Sequence, residues 1–92
     1  MSLPEPVPEA KPRLRRPARL KYDSLRQTEL LLLPERVVSL NATAAAILRL
    51  CDGQRTVSEI VGELESAYGQ TDLKGDVLEF LMLAADRGWV EP

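Results

Sequence analysis

Five prolines fall within the first seventeen residues, at Pro4, Pro6, Pro8, Pro12 and Pro17. Proline has no backbone donor and a fixed φ, so such a stretch supports neither a helix nor an inner strand. It is expected to be an extended tail over residues 1–17, leaving residues 18–92 to form one small domain. Aromatic residues make up only 4% of the chain, so Leu, Val, Ile and Ala must supply the core. The prolines also interrupt any run that resembles a signal-peptide core. No apolar run approaches the roughly 20 residues of a membrane span, and a cytoplasmic protein is the simplest expectation.

The chemistry available is narrow. The chain has no histidine, and Cys51 is its only cysteine. An intramolecular disulfide, a zinc site built from Cys and His, and any triad with a histidine base are therefore excluded within one chain. No glycine-rich phosphate loop, metal-ligand spacing or nucleophile–base pair is present, so neither an enzyme nor a cofactor is expected. Cys51 reads as a small buried hydrophobe. The net charge of −2 conceals an asymmetry. Residues 1–21 carry six bases against two acids, while residues 22–92 carry six against twelve. A basic arm on an acidic body suits an acidic partner, nucleic acid or the body itself, and also an unengaged, solvated tail.

Apolar alternation predicts a strand at about 18–24, where Ala18, Leu20 and Tyr22 alternate with Arg19, Lys21 and Asp23. Leu30 to Leu33 form a run too short for a helix and closed by Pro34, a second strand with both faces covered, by the body and by another surface. Pro34-Glu35 turns the chain into a third strand, Arg36 to Leu40. Three punctuated helices follow. Asn41 caps Ala42 to Cys51, with Gly53 as the stop; Thr56 and Glu59 have capping-box spacing for a helix that ends at Gly69. That helix is expected to bury Val57, Ile60, Val61, Leu64 and Tyr68. Asp72 is expected to cap the third helix, Leu73 to Arg87, which stops at Gly88 before Trp89 and Val90.

The third helix carries more apolar surface than one neighbour needs. Leu73, Val77, Phe80, Leu81 and Ala84 form one stripe; Leu78, Met82 and Ala85 form another, with Leu83 beside Phe80. In so small a domain, an external partner is the expected cover for the second side. The third strand has no proline within it and lies at an edge of the expected meander, where it can accept another strand. An edge beside an apolar helix suits β-augmentation: main-chain bonds supply affinity and side-chain pockets supply specificity.

Several blocks, in order, resemble the PqqD family. They are Leu33-Pro34-Glu35, Leu40-Asn41-Ala42-Thr43-Ala44, Asp52-Gly53, Thr56-Val57-Ser58-Glu59-Ile60 and Asp76-Val77-Leu78-Glu79-Phe80-Leu81. The resemblance covers roughly residues 18–90. It implies an α+β, winged-helix-like fold, a three-stranded antiparallel meander followed by three helices. It also implies a peptide chaperone of pyrroloquinoline quinone biosynthesis, which binds the leader of a ribosomally made precursor peptide and presents it to a radical SAM enzyme. The peptide would add as a strand beside Arg36, Val37, Val38, Ser39 and Leu40. It would pack against the third helix at Asp76, Phe80, Leu83 and Arg87.

Each of these residues also has a structural reading: Phe80 as core, Arg87 and Asp76 as partners of the helix dipole. Two other functions stand beside the chaperone. The same edge and helix would suit a self-associating module or homodimer. A winged-helix DNA binder is disfavoured, because the third helix offers Lys74 and Arg87 against Asp72, Asp76, Glu79 and Asp86. The acids Glu59, Glu63 and Glu65 of the middle helix read as a solvated face.

Overall fold

Two short turns shape the first half of the molecule. Residues 9–91 are described by the computed structural model. At the first turn, Asp23 Oδ1 accepts from the backbone N–H groups of Leu25 at 3.1 Å and Arg26 at 3.3 Å, an Asx arrangement that turns the chain locally. It joins β2 (Arg19–Asp23) to β3 (Thr28–Leu32). At the second, the Leu33 N–H donates to the Arg36 carbonyl at 2.9 Å across Pro34-Glu35, leading into β4 (Val37–Leu40). The three strands are antiparallel in the order β2-β3-β4.

β3 begins two residues earlier than the leucine run, because Thr28 and Glu29 pair with Asp23 and Tyr22. The strand is not covered equally on its two faces. Leu31 is wholly buried between Leu20 and Val38, its partners on the neighbouring strands. Leu30 and Leu32, pointing the other way, are only half-buried and lie outside the core cluster. The second strand is thus covered on one face, since one helical layer cannot reach both.

The helices are α1 (Ala42–Leu50), α2 (Val57–Tyr68) and α3 (Lys74–Asp86). Asn41 Oδ1 accepts from the Ala44 N–H at 2.7 Å and caps α1. Thr56 and Glu59 form the reciprocal capping box of α2, at 3.1 and 2.8 Å. The Thr56 backbone N–H, and then its hydroxyl, hold the Glu59 carboxyl below its ordinary range. Gly69, in the left-handed region at φ 61°, ends α2, a conformation that costs glycine no steric strain.

Asp72 does not cap α3. Its φ is 62°, whereas an N-cap needs extended backbone. Glu65 of α2 reaches across instead, its Oε2 accepting from the Leu73 N–H at 3.0 Å. The acids of α2 are consequently not a merely solvated face: Glu59 caps, Glu63 pairs with Arg55, and Glu65 ties α2 to α3. Tyr68, expected in the buried stripe, is 47% exposed, because it lies in the last turn, beyond Leu64, where α2 has passed the core.

Every buried core side chain among the described residues is apolar, with Ile47, Leu48, Ile60, Leu81 and Val77 at the centre. No described helix is long and apolar enough to cross a membrane.

The boundary expected at residue 18 moves toward the N-terminus. β1 (Arg13–Leu14) pairs antiparallel with β5 (Val90–Glu91) in a second small sheet. Around it, the Ala10 carbonyl accepts from the Val57 N–H at 2.9 Å and the Pro12 carbonyl from the Gly53 N–H at 3.0 Å. The Arg15 N–H donates to the Trp89 carbonyl at 2.8 Å, and Arg13 pairs with Glu91 at 2.8 Å. Pro12 is buried. Proline bars a residue from donating, not from accepting or packing, so residues 9–17 are held by their carbonyls and by the donors between the prolines. The rest of the expected tail, residues 1–8, lies outside the described residues.

Cys51 ends α1 beneath this clasp. Its Sγ lies 3.3 Å from the Ile47 carbonyl, and burial, with Asp52 adding, pushes the thiol up to about 12. Since the thiolate is the reactive form, iodoacetamide at mildly alkaline pH should leave the native chain unlabelled and alkylate it in urea, as mass spectrometry would read. Rapid labelling of the native chain would contradict this burial. A chain begun at Ala18 loses the cover of Trp89, Val90 and Cys51. It should be less stable by about 2 kcal/mol, seen as a lower urea midpoint; an unchanged midpoint would mean that the clasp contributes nothing.

Candidate binding site

The three-stranded sheet has two edges, β2 and β4, and β4 is the one that carries neither charge nor proline. Antiparallel partners alternate between hydrogen-bonded and non-bonded pairs, and the Leu33–Arg36 bond sets the phase. In the register Leu32↔Val37, Leu31↔Val38, Leu30↔Ser39 and Glu29↔Leu40, the groups of Val38 and Leu40 bond inward to β3. Those of Val37 and Ser39 are directed to the free edge. Side chains alternate as well. Leu40 is buried and Val38 half-buried toward the helices, while Val37, 58% exposed, and Ser39 face outward. Arg36 precedes the strand and its carbonyl is taken by Leu33, so the edge is Val37–Leu40 rather than Arg36–Leu40.

On α3, the buried stripe is Val77, Leu81 and Ala84. Asp76, Phe80, Leu83 and Arg87 follow one another at spacings of four, three and four, which aligns them beside that stripe. Phe80 is half-buried and packs on the core; Leu83 is 42% exposed and Asp76 is exposed. The Arg87 guanidinium lies over the ring of Trp89, 5.6 Å from its centroid, a cation–π contact. Met82, on a different side of the helix, is 40% exposed, while Leu78 and Ala85 of the same stripe pack on the core.

α1 stands between the two groups of residues. It follows β4 directly through Asn41 and packs on β3 and β4. Its Thr43 and Ile47 share with Asp76 and Val77 of α3, Leu73 just before it and Tyr68 of α2 a pocket of about 220 Å³. Asp76 is therefore brought to a pocket, and Thr43 and Tyr68 join it, which no pattern in the sequence indicates: Thr43 is a lone hydroxyl in the alanine-rich first turn of α1, and Tyr68 has the spacing of core. A larger depression, lined by Arg13, Leu14, Arg15, Arg16, Cys51, Asp52 and Glu91, lies at the N-terminal clasp. There Asp52 is tied locally: its Oδ1 accepts from the N–H groups of Gln54 and Arg55 at 2.9 and 3.1 Å. The Gln54 bond above all holds its carboxyl below the ordinary range. Among the described residues, no group of His, Cys, Asp and Glu could hold a metal ion.

The sequence and the fold have known counterparts. The family model described as coenzyme PQQ synthesis protein D (PqqD) matches residues 29–90. A protein of Methylococcus capsulatus named PqqA binding protein is 41% identical over 91 residues, covering 98% of this chain and 94% of its own. Another of that name, from Azotobacter vinelandii, is 42% identical, over 87% of this chain and 88% of its own. The solution structure of the PqqD part of Methylobacterium extorquens PqqCD, described as a functional, stand-alone recognition element for ribosomally synthesized and post-translationally modified peptides, superposes with a TM-score of 0.74. It is 38% identical and covers 88% of both chains. With sequence and fold in agreement over most of its length, this chain belongs to the PqqD family.

Proposed function

We propose that this chain is a non-catalytic, cytoplasmic peptide chaperone of pyrroloquinoline quinone biosynthesis. It binds the leader region of a ribosomally made precursor peptide by strand addition to β4 and presents it to a radical SAM enzyme. The observation that carries the reading is the state of β4: an edge strand without proline or charge, whose Val37 and Ser39 main-chain groups face outward. An added strand satisfies these groups, and the α3 face of Asp76, Phe80, Leu83 and Arg87 supplies side-chain contacts in a winged-helix-like arrangement. The names of the relatives and the recognition element of the structural neighbour support peptide binding.

The placement of donors chooses the test. Proline at Val38 would break the β3–β4 ladder, whereas proline at Ser39 removes an outward donor and leaves the ladder intact. Titration calorimetry with the precursor peptide should show saturable one-to-one binding that the leader alone retains. Ser39→Pro should weaken it about tenfold, the loss of one well-formed hydrogen bond with its steric consequence, while melting like the parent. Full affinity in a folded Ser39→Pro chain would remove strand addition. Absence of binding to the parent, with a dimer persisting through dilution in the centrifuge, would favour self-association through the same edge.

A further inference from the structure

The face of the sheet turned away from the helices has a composition that solvent exposure alone does not explain. Its outward positions form three cross-strand rows: Arg19, Leu32 and Val37 in one, Lys21, Leu30 and Ser39 in the next, and Asp23 with Thr28 beside the first turn. Leu30 and Leu32 are apolar yet lie outside the core cluster, and Val37 is 58% exposed. Arg19 and Lys21 are exposed and enter none of the ion pairs among the described residues. Of the acids nearest this sheet, Asp23 closes the β2–β3 turn and pairs with Arg26, Glu29 points to the helices, where Arg49 of α1 pairs with it, and Glu35 stands exposed in the β3–β4 turn beside the exposed Arg36. The face therefore grades from Arg19 and Lys21 on β2, through two leucines, to valine and serine at the β4 edge. Edge protection accounts for cations on β2, but not for leucines left off the core at the centre of the sheet.

We infer that this outer face is the docking surface for the modifying enzyme, through an acidic, partly apolar patch on it, and that the surface is completed by the bound peptide. The inference rests on the proposed strand addition at β4. A fourth strand there continues the same pleated surface, and its outward side chains extend the rows of Val37 and Ser39. An enzyme that covers the face then touches chain and peptide together and distinguishes the loaded chaperone from the empty one. A second copy is the poorer occupant, because the cations on and beside this face, Arg19, Lys21, Arg26 and Arg36, outnumber its acids Asp23 and Glu35, and a two-fold pairing would set like charge against like. The peptide itself is not the occupant, because one strand at the edge leaves the face open.

The test uses the full chain, the precursor peptide and the purified radical SAM enzyme. Arg19→Glu with Lys21→Glu should lower enzyme affinity at least about tenfold, more at low salt than at high. Peptide affinity should change less than about twofold, since charges away from the binding contacts act weakly. Leu30→Thr, which keeps a strand-forming residue at a position outside the core, should weaken enzyme binding without loss of folding. Saturating peptide should raise the enzyme's affinity, and enzyme should raise the peptide's by the same factor. Unchanged enzyme affinity in both variants would overturn the docking surface, and equal enzyme affinity with and without peptide would overturn its completion by the peptide. A dimer of the parent chain that either variant dissolves would assign the face to a second copy and overturn the proposal. Failure of the functional reading is separate: the parent chain then binds no peptide, while the variants still decide whether this face meets the enzyme.

Discussion

Leu31 is where the two layers of the molecule meet. It lies at the centre of the central strand, wholly buried, with Leu20 and Val38 beside it and α1 packed over the sheet. A slip of one residue in β3 would turn Leu31 to solvent and bring Leu30 and Leu32 inward. The register that keeps Leu31 inside also sends Glu29 toward Arg49 and leaves Leu30 and Leu32 outside. It sets the direction of the main-chain groups of Val37 and Ser39 as well. One buried side chain thereby determines which face is core, which face is open and which donors stand at the edge.

The sheet ends differently on its two sides. β2 carries Arg19 and Lys21, which disfavour pairing with another strand. β4 carries neither charge nor proline and remains competent to pair. The other ends of the chain are closed on each other, β1 with β5, over Trp89, Val90 and Cys51. Closure there commits the N-terminal strand to stability, and the three-stranded sheet keeps its own two edges. The all-apolar core contains no polar network to specify a unique packing. That specificity comes from the caps and turns instead, from Asn41, the Thr56–Glu59 box, Asp23 and the Glu65–Leu73 bond.

Much of the architecture was legible because it rests on neighbours in sequence. The caps at Asn41 and Thr56, the stops at Gly69 and Gly88, and the turn at Pro34-Glu35 each involve residues within about one helical turn of one another. The same holds for the α3 face, where Leu83 lies off the buried stripe by spacing alone. What misled were residues whose partners are distant. Asp72 has the chemistry of a cap but a left-handed backbone, and Glu65 from another helix takes its place. Tyr68 keeps the core period one turn past the end of the core. Pro12 and Pro17 suggested a tail, yet Pro12 is buried and its carbonyl accepts from Gly53.

Local propensity, capping and composition were enough to define the three-stranded meander and the three helices, their order, the absence of histidine chemistry and the ordered blocks of the PqqD family. All of these can be read along the chain without knowing what lies across from it. Three features needed the folded molecule: the clasp of residues 9–17 on the C-terminus, the outward donors of Val37 and Ser39 rather than Val38, and the turning of Leu30 and Leu32 away from the core. Strand register, and a carbonyl's choice of partner, are settled by which distant surface is buried against them. No period along a single chain contains that information.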